Sequence, residues 1–347
     1  MRASVIFAAS LLLAGCGGSQ PPGFTPLAIR ENSNLPPPAA KNLYVANAAG
    51  SITVYAPGTE KPLRTISDNA YEPLDMTFDS KGYLYVVNGL NSAYPATVPV
   101  YAPGGIHPVR IITNGDQRAG LVAISPKNGN AYVANEDTVT VYQAGTTKLI
   151  QTIGGIADPE SLAIDRSGQI YVGEGGVSGS GPFTMSIFAP GASKPVRTIT
   201  SHLNRPVAIA FDAKNYLYVA NAGTYGSFLN TVAVFQPNST KLDRTITDGV
   251  HQPMSLAFDS DGNLYVGNLK SNTVTVYSGN PSKLVRTVSQ GISDPESLAF
   301  GSHNFLNVAN YTAKSRGSVT EYPPGSGKLN RTITYGLYGP FCLAFGP

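Results

Sequence analysis

Residues 253–288 run PMSLAFDSDGNLYVGNLKSNTVTVYSGNPSKLVRTV, and the reading of that stretch decides the fold. Pro253 leads into Ser255-Leu256-Ala257-Phe258-Asp259, followed by a turn through Asp261-Gly262-Asn263. Next come Leu264-Tyr265-Val266-Gly267-Asn268, a short loop, and Thr273-Val274-Thr275-Val276-Tyr277. A second turn at Gly279-Asn280-Pro281 precedes Lys283-Leu284-Val285-Arg286-Thr287-Val288. Four short β-rich runs separated by turn residues, with no helical period, predict four strands. Asp259, Asp261 and Asn263 look like the start of a calcium loop, but Lys270 stands where its closing Glu belongs, so a hairpin turn is expected.

The unit recurs along the chain. Leu43-Tyr44-Val45-Ala46-Asn47 returns, with substitutions, ending at Asn88, Asn135, Glu174, Asn221, Asn268 and Asn310, at intervals of 41, 47, 39, 47, 47 and 42 residues. A period in the forties marks a repeat architecture. Each four-stranded unit has two apolar faces, and radial stacking buries both. That explains why Leu-Tyr-Val-Ala is apolar throughout instead of alternating. The first copy opens at Leu43 without a preceding Pro-x-x-Leu-Ala-Phe strand, whereas the chain ends on Pro340-Phe341-Cys342-Leu343-Ala344-Phe345-Gly346. The expected fold is all-β: a seven-bladed β-propeller of four-stranded blades, closed by the C-terminal strand completing the first blade.

The pattern Pro-x-Ser-Leu-Ala-Phe-Asp-x-x-Gly-Asn-Leu-Tyr-Val-x-Asn, then Val-Thr-Val-Tyr and Lys-x-x-Arg-Thr-Ile, resembles the NHL-repeat β-propellers over residues 41–347. It is more distantly similar to the six-bladed SMP-30/gluconolactonase group. The resemblance implies a fold that hosts lyases, lactonases, receptors and scaffolds alike, so activity has to be read from the site.

At the front of the chain, Arg2 precedes an apolar run over 5–14 that ends in Leu13-Ala14-Gly15-Cys16. This resembles the lipobox of bacterial lipoproteins. The resemblance implies cleavage before Cys16 and acylation of its sulfur and new amine, which anchors the chain stably in a bilayer. The expected division is a signal peptide over 1–15, a lipidated Cys16 with a Pro/Gly-rich tether over 16–40, and the propeller over 41–347. The expected location is exported: a bacterial membrane lipoprotein, at the outer membrane or cell surface in a diderm, since Gly17 and Gly18 leave no acidic retention signal after the cysteine. With Cys16 acylated, the only other cysteine, Cys342, is expected to be a buried packing thiol without a disulfide.

The net charge of +3 would fit a nucleic-acid partner, but the repeat accounts for it differently. One register slot carries Arg64, Arg110, Arg197, Arg244, Arg286 and Arg331; a second carries Lys61, Lys148, Lys194, Lys241, Lys283 and Lys328. Half of the 24 basic residues therefore sit in two slots of one edge strand, where they block edge-to-edge pairing rather than form a patch. No nucleic-acid partner is expected.

Candidate site residues follow from the face that carries the inter-blade loops and the loops between second and third strands. The latter are long in copies two, four, five and seven and carry Tyr94, Phe183, Tyr225, Phe228 and Tyr311. The repeated Asn reads as a structural cap bonding backbone, and Glu174 breaks its series. Glu160 and Glu296 follow blade-opening prolines, and Asp75 lies one residue further on in its own copy. These acids can be read as a solvated rim. They can also be read as oxygen ligands for Ca²⁺ or another divalent cation, with Glu160, Glu174 and Glu296 as the metal set. His202 and His251 are the only histidines in inter-blade loops of this face. There is no Gly-x-Ser-x-Gly elbow, no His-Glu-x-x-His and no phosphate loop. A binding module is the expected function, with an envelope protein or peptide as partner and a glycan as a further option. The alternatives are a metal-assisted lyase or lactonase at the channel mouth, and a structural spacer.

Overall fold

The computed structural model describes residues 41–89, 96–113, 119–175, 181–223, 230–278, 283–311 and 316–347. The expected signal peptide and tether, with Cys16, and the loop residues Tyr94, Tyr225 and Phe228 lie outside the described residues. The described chain forms seven antiparallel four-stranded sheets. The innermost strands are Pro73–Phe78, Leu121–Ile124, Pro159–Ile164, Pro206–Phe211, Pro253–Phe258, Pro295–Phe300 and Pro340–Gly346. Each packs against the next, and the last against the first, so the ring is closed.

Burial follows radius. Second strands such as Leu217–Asn221 and Leu264–Asn268 are buried at every residue, because both faces meet a neighbouring blade. Outer strands such as Pro62–Ile66 alternate between exposed and half-buried. The apolar core is accordingly divided into seven clusters, one in each gap between adjacent blades. The closing strand pairs Leu43 with Phe345 and Val45 with Leu343. Leu43, Val45 and Leu343 then join Ala299, Ala309 and Ile333 in the cluster between the seventh and first blades.

Two polar devices recur. In the first, five clamp Asn residues at the ends of second strands accept an inter-blade amide and donate to third-strand hydroxyls, and Asn135 makes the same donations to Thr138 and Thr140. Asn268 accepts the His251 amide at 3.0 Å and donates to Thr275 Oγ1 at 3.0 Å. Asn47, Asn88, Asn221 and Asn310 accept the amides of Tyr338, Tyr71, Asn204 and Ser293 in the same way. The cap expected from sequence is thus present.

In the second, the Arg slot reaches across its sheet to the Tyr of the second strand. Arg64, Arg110 and Arg244 donate to the hydroxyls of Tyr44, Tyr85 and Tyr218 at 2.5, 3.0 and 2.7 Å, with the guanidinium over the ring. The Lys slot is exposed, as edge blocking requires, but the Arg slot is half-buried and stitches the blade. The first turn is a hairpin, as expected: Asp259 Oδ1 accepts the amides of Asp261 and Asn263.

One expectation is overturned. Cys342 is disulfide-bonded, and no free cysteine is found among the described residues. The expectation followed from Cys16 being consumed by acylation. A fully buried sulfur on an inner strand packs equally well oxidised, so register alone did not fix its redox state.

Candidate functional site

Six of the seven inner strands begin with a bulge. Strand pairing runs from the opening proline to the second residue beyond it and skips the one between. A bulge re-aims the skipped side chain. The skipped residues, all on the strands nearest the axis, are Leu74, Glu160, Val207, Met254, Glu296 and Phe341. The residue before each of these prolines lies in the left-handed region: Glu72, Asp158, Arg205, Gln252 and Asp294 with φ between 45° and 56°, and Gly339 at 61°. Their carbonyls accept the amides of Gly89, Gly175, Ala222, Leu269, Tyr311 and Ala48, which follow the clamp residues. Each non-glycine residue held so costs on the order of 1 kcal/mol, and the interlocking of loop with clamp maintains it in five blades.

The mouth therefore carries two tiers of side chains, in which the charges are Glu72, Asp158, Glu160, Asp294 and Glu296 against Arg205. Arg205 Nε lies 3.2 Å from Glu160 Oε1. Burial raises the Glu160 carboxyl, Arg205 opposes that rise, and Asp158 adds to it. Glu296 is 1% exposed and its Oε2 has no hydrogen-bond partner. Burial pushes its carboxyl up to about 7, with Asp294 adding and Arg205 opposing. One arginine, from the fifth blade, thus acts electrostatically on acids of the fourth and seventh.

The other acids have different work. Asp75 Oδ1 accepts the Met76 amide and its Oδ2 the Val122 amide of the next blade, each at 2.9 Å. Burial lifts its carboxyl to about 7 against those two donors. At the same register Ser161 Oγ donates to Pro206 O at 2.6 Å and Ser297 Oγ accepts the Leu343 amide at 3.2 Å. This position ties blade to blade. Glu174 replaces the clamp Asn in kind: Oε2 accepts the Ala157 amide at 2.9 Å, and Oε1 accepts the Ser186 hydroxyl at 2.5 Å. The glycines beside it are steric. A Cβ on Gly173 would lie 2.3 Å from Ser161 Oγ, and one on Gly175 2.8 Å from Glu160 Cγ.

Phe183 and Tyr311 are half-buried. Tyr311 stands edge-on to Phe341, with centroids 6.5 Å apart, which brings it to the mouth at the seam of the seventh and first blades. Tyr335 and Tyr338, 67% and 63% exposed, lie on the adjoining loop. Sequence reading passed over both because their loop has no repeat register; two tyrosines in the short run 334–339 were the available signal. His202 is exposed and lends only its carbonyl, to Asn221. His251 borders a separate cavity of about 590 Å³ with Asn230, Val250, Lys270 and Ser271. Among the described residues no three His, Cys, Asp or Glu side chains come together as a metal site, and no helix is long and apolar enough to cross a membrane.

The chain matches no protein-family model and no curated protein sequence. Among solved structures it is similar to a functionally unknown protein from Desulfotomaculum acetoxidans. That match has a TM-score of 0.67 and 19% identity, covering 89% of this chain and 99% of the other. It is also similar to a protein from Lactobacillus plantarum, with a TM-score of 0.71, 14% identity and the same coverage. At such identities the likeness shows the propeller fold alone.

Proposed function

We propose that this propeller is a binding module whose mouth takes a cationic side chain, Lys or Arg, from a protein or peptide partner. The observation that carries the reading is Glu296, a buried carboxylate with an unpartnered oxygen, standing among acids that share one arginine. A charged donor inserted there would satisfy that oxygen in a low-dielectric setting, where such bonds are strong. Tyr311, Tyr335, Tyr338 and Phe341 supply the aromatic surroundings favoured at binding hot spots. The repeat pattern supports an NHL-like module, and Leu13-Ala14-Gly15-Cys16 supports a membrane-tethered form on the cell envelope.

Affinity capture from an envelope extract with the full chain as bait, wild type against Glu296→Gln, tests the reading. A partner held by the wild type should bind the variant at least tenfold more weakly, because truncating one member of a buried charge pair costs roughly 2–5 kcal/mol. Equal retention by both baits removes the mouth from the interaction. The intact mass of the same membrane-extracted protein tests the tether. The chain has two cysteines, so a thioacylated Cys16 and a disulfide between Cys16 and Cys342 of the same chain exclude each other, and the mass decides between them. A mass carrying acyl chains supports the tether, and a mass without them rejects it.

A further inference from the structure

In six blades one cross-strand row reads Tyr, then Val or Ile, then Arg or Gln, from second to fourth strand. Tyr44, Val54 and Arg64 stand in register in the first blade, and Tyr265, Val276 and Arg286 in the sixth. The tyrosine ring fills the space between its blade and the next, edge-on to the phenylalanine that ends the next inner strand. Tyr44–Phe78, Tyr171–Phe211, Tyr218–Phe258 and Tyr265–Phe300 all have centroids 4.9–5.0 Å apart. The seventh blade breaks the row, which there reads Asn307, Glu321, Arg331. Its hairpin lacks the turn aspartate as well, carrying Gly301 where Asp259 stands in the sixth blade.

The missing ring leaves a cavity of about 440 Å³ on the face opposite the mouth, at the seam of the seventh and first blades. Asn307, Glu321 and Arg331 line it with the rings of Phe305, Phe345 and Tyr55. Glu321 is engaged by its own blade: Arg331 Nη2 donates to Oε2 at 2.6 Å and Asn330 Nδ2 to Oε1 at 2.8 Å. Asn307 is different. It is 1% exposed, its Nδ2 donates to the Phe305 carbonyl at 3.3 Å, and its Oδ1 has no partner. The space left by one phenol ring is thus still walled by aromatic side chains and now holds an unanswered buried acceptor. Apolar cavities of about 150 Å³ already admit benzene, and a buried acceptor left unpaired favours a ligand that brings a donor.

We infer that this seam cavity is a binding site for a small neutral aromatic molecule carrying a hydrogen-bond donor, the phenol class. The ring would pack against Phe345 as the tyrosines of other blades pack on theirs, and the hydroxyl would donate to Asn307 Oδ1. This site is separate from the mouth and does not depend on the function proposed for it.

The test is calorimetry and thermal unfolding of the full chain with phenol, and with benzene as the donor-free control. Phenol at millimolar concentration should bind and raise the unfolding midpoint, and benzene should bind roughly tenfold more weakly. Asn307→Leu, which keeps a cavity but removes the acceptor, should bring phenol down to the level of benzene. Asn307→Tyr with Glu321→Val restores the row of the other blades and should abolish binding without lowering the midpoint. Absence of phenol binding to the wild type overturns the inference, as does equal binding of phenol and benzene or undiminished binding to the refilled variant. If the refilled variant does not fold, the two probes on the wild type and on Asn307→Leu decide.

Discussion

Deleting residues 340–347 is expected to abolish cooperative folding. The strand Pro340–Gly346 is the only inner strand the first blade has, and it pairs with Asn42–Asn47 along its length. It buries Phe341, Cys342 and Leu343 at 7%, 0% and 4% exposure. Burying a large apolar side chain contributes roughly 1.5–3 kcal/mol. Losing Phe341 and Leu343 with the ladder therefore removes about 5 kcal/mol or more, against a total stability of roughly 5–15 kcal/mol. The deletion also opens the core between the seventh and first blades, to which Leu43, Val45, Ala309 and Leu343 belong. Far-UV circular dichroism through a urea series should show no cooperative transition. Leu343→Ala is the graded control: it should fold and lose about 2–5 kcal/mol. A truncated chain with the wild-type midpoint would mean that the ring does not depend on its closing strand.

The second large effect concerns pH. The Glu296 carboxyl is raised in the fold from its ordinary 4.5 to about 7. A carboxyl raised by folding holds its proton more tightly in the native state, so its contribution is fully present below about pH 4.5 and is lost as pH rises through about 7. At about 1.4 kcal/mol per pH unit the change amounts to roughly 3 kcal/mol. Asp75, raised from 3.8 to about 7 by burial, acts with the same sign across the same window. Denaturant titrations from pH 4 to 8 should show wild-type stability falling as pH rises. Glu296→Gln should keep only the part due to the other raised carboxyls, Asp75, Asp158 and Glu160, so that the two profiles converge on the acid side and separate towards pH 8. Parallel profiles would show that Glu296 is not buried as described.

The amino-acid sequence by itself determined the architecture. A blade is four strands contiguous in the chain, so its turns, its strand patterns and its period are all local and survive in one dimension. Ring closure was legible for the same reason: a strand missing before Leu43 and a matching strand left over at Pro340 can be read without coordinates. The clamp was legible too, because a polar residue repeated at one buried position has to bond its own backbone. What only the tertiary structure decided is which acid does what. Asp75, Glu160 and Glu296 all follow opening prolines, yet a one-residue bulge turns Glu160 and Glu296 towards the mouth, while Asp75, one place later, crosses to Val122 of the next blade. Arg205 reaches acids of two different blades because the ring brings together residues far apart in sequence. The vacancy beside Asn307 was equally invisible, although the substitution stood in plain view in Leu306-Asn307-Val308-Ala309-Asn310. Its meaning depends on the Phe345 that crosses from the neighbouring blade. A side chain's role in this fold is set by the partner across the gap, and no local pattern in the chain names that partner.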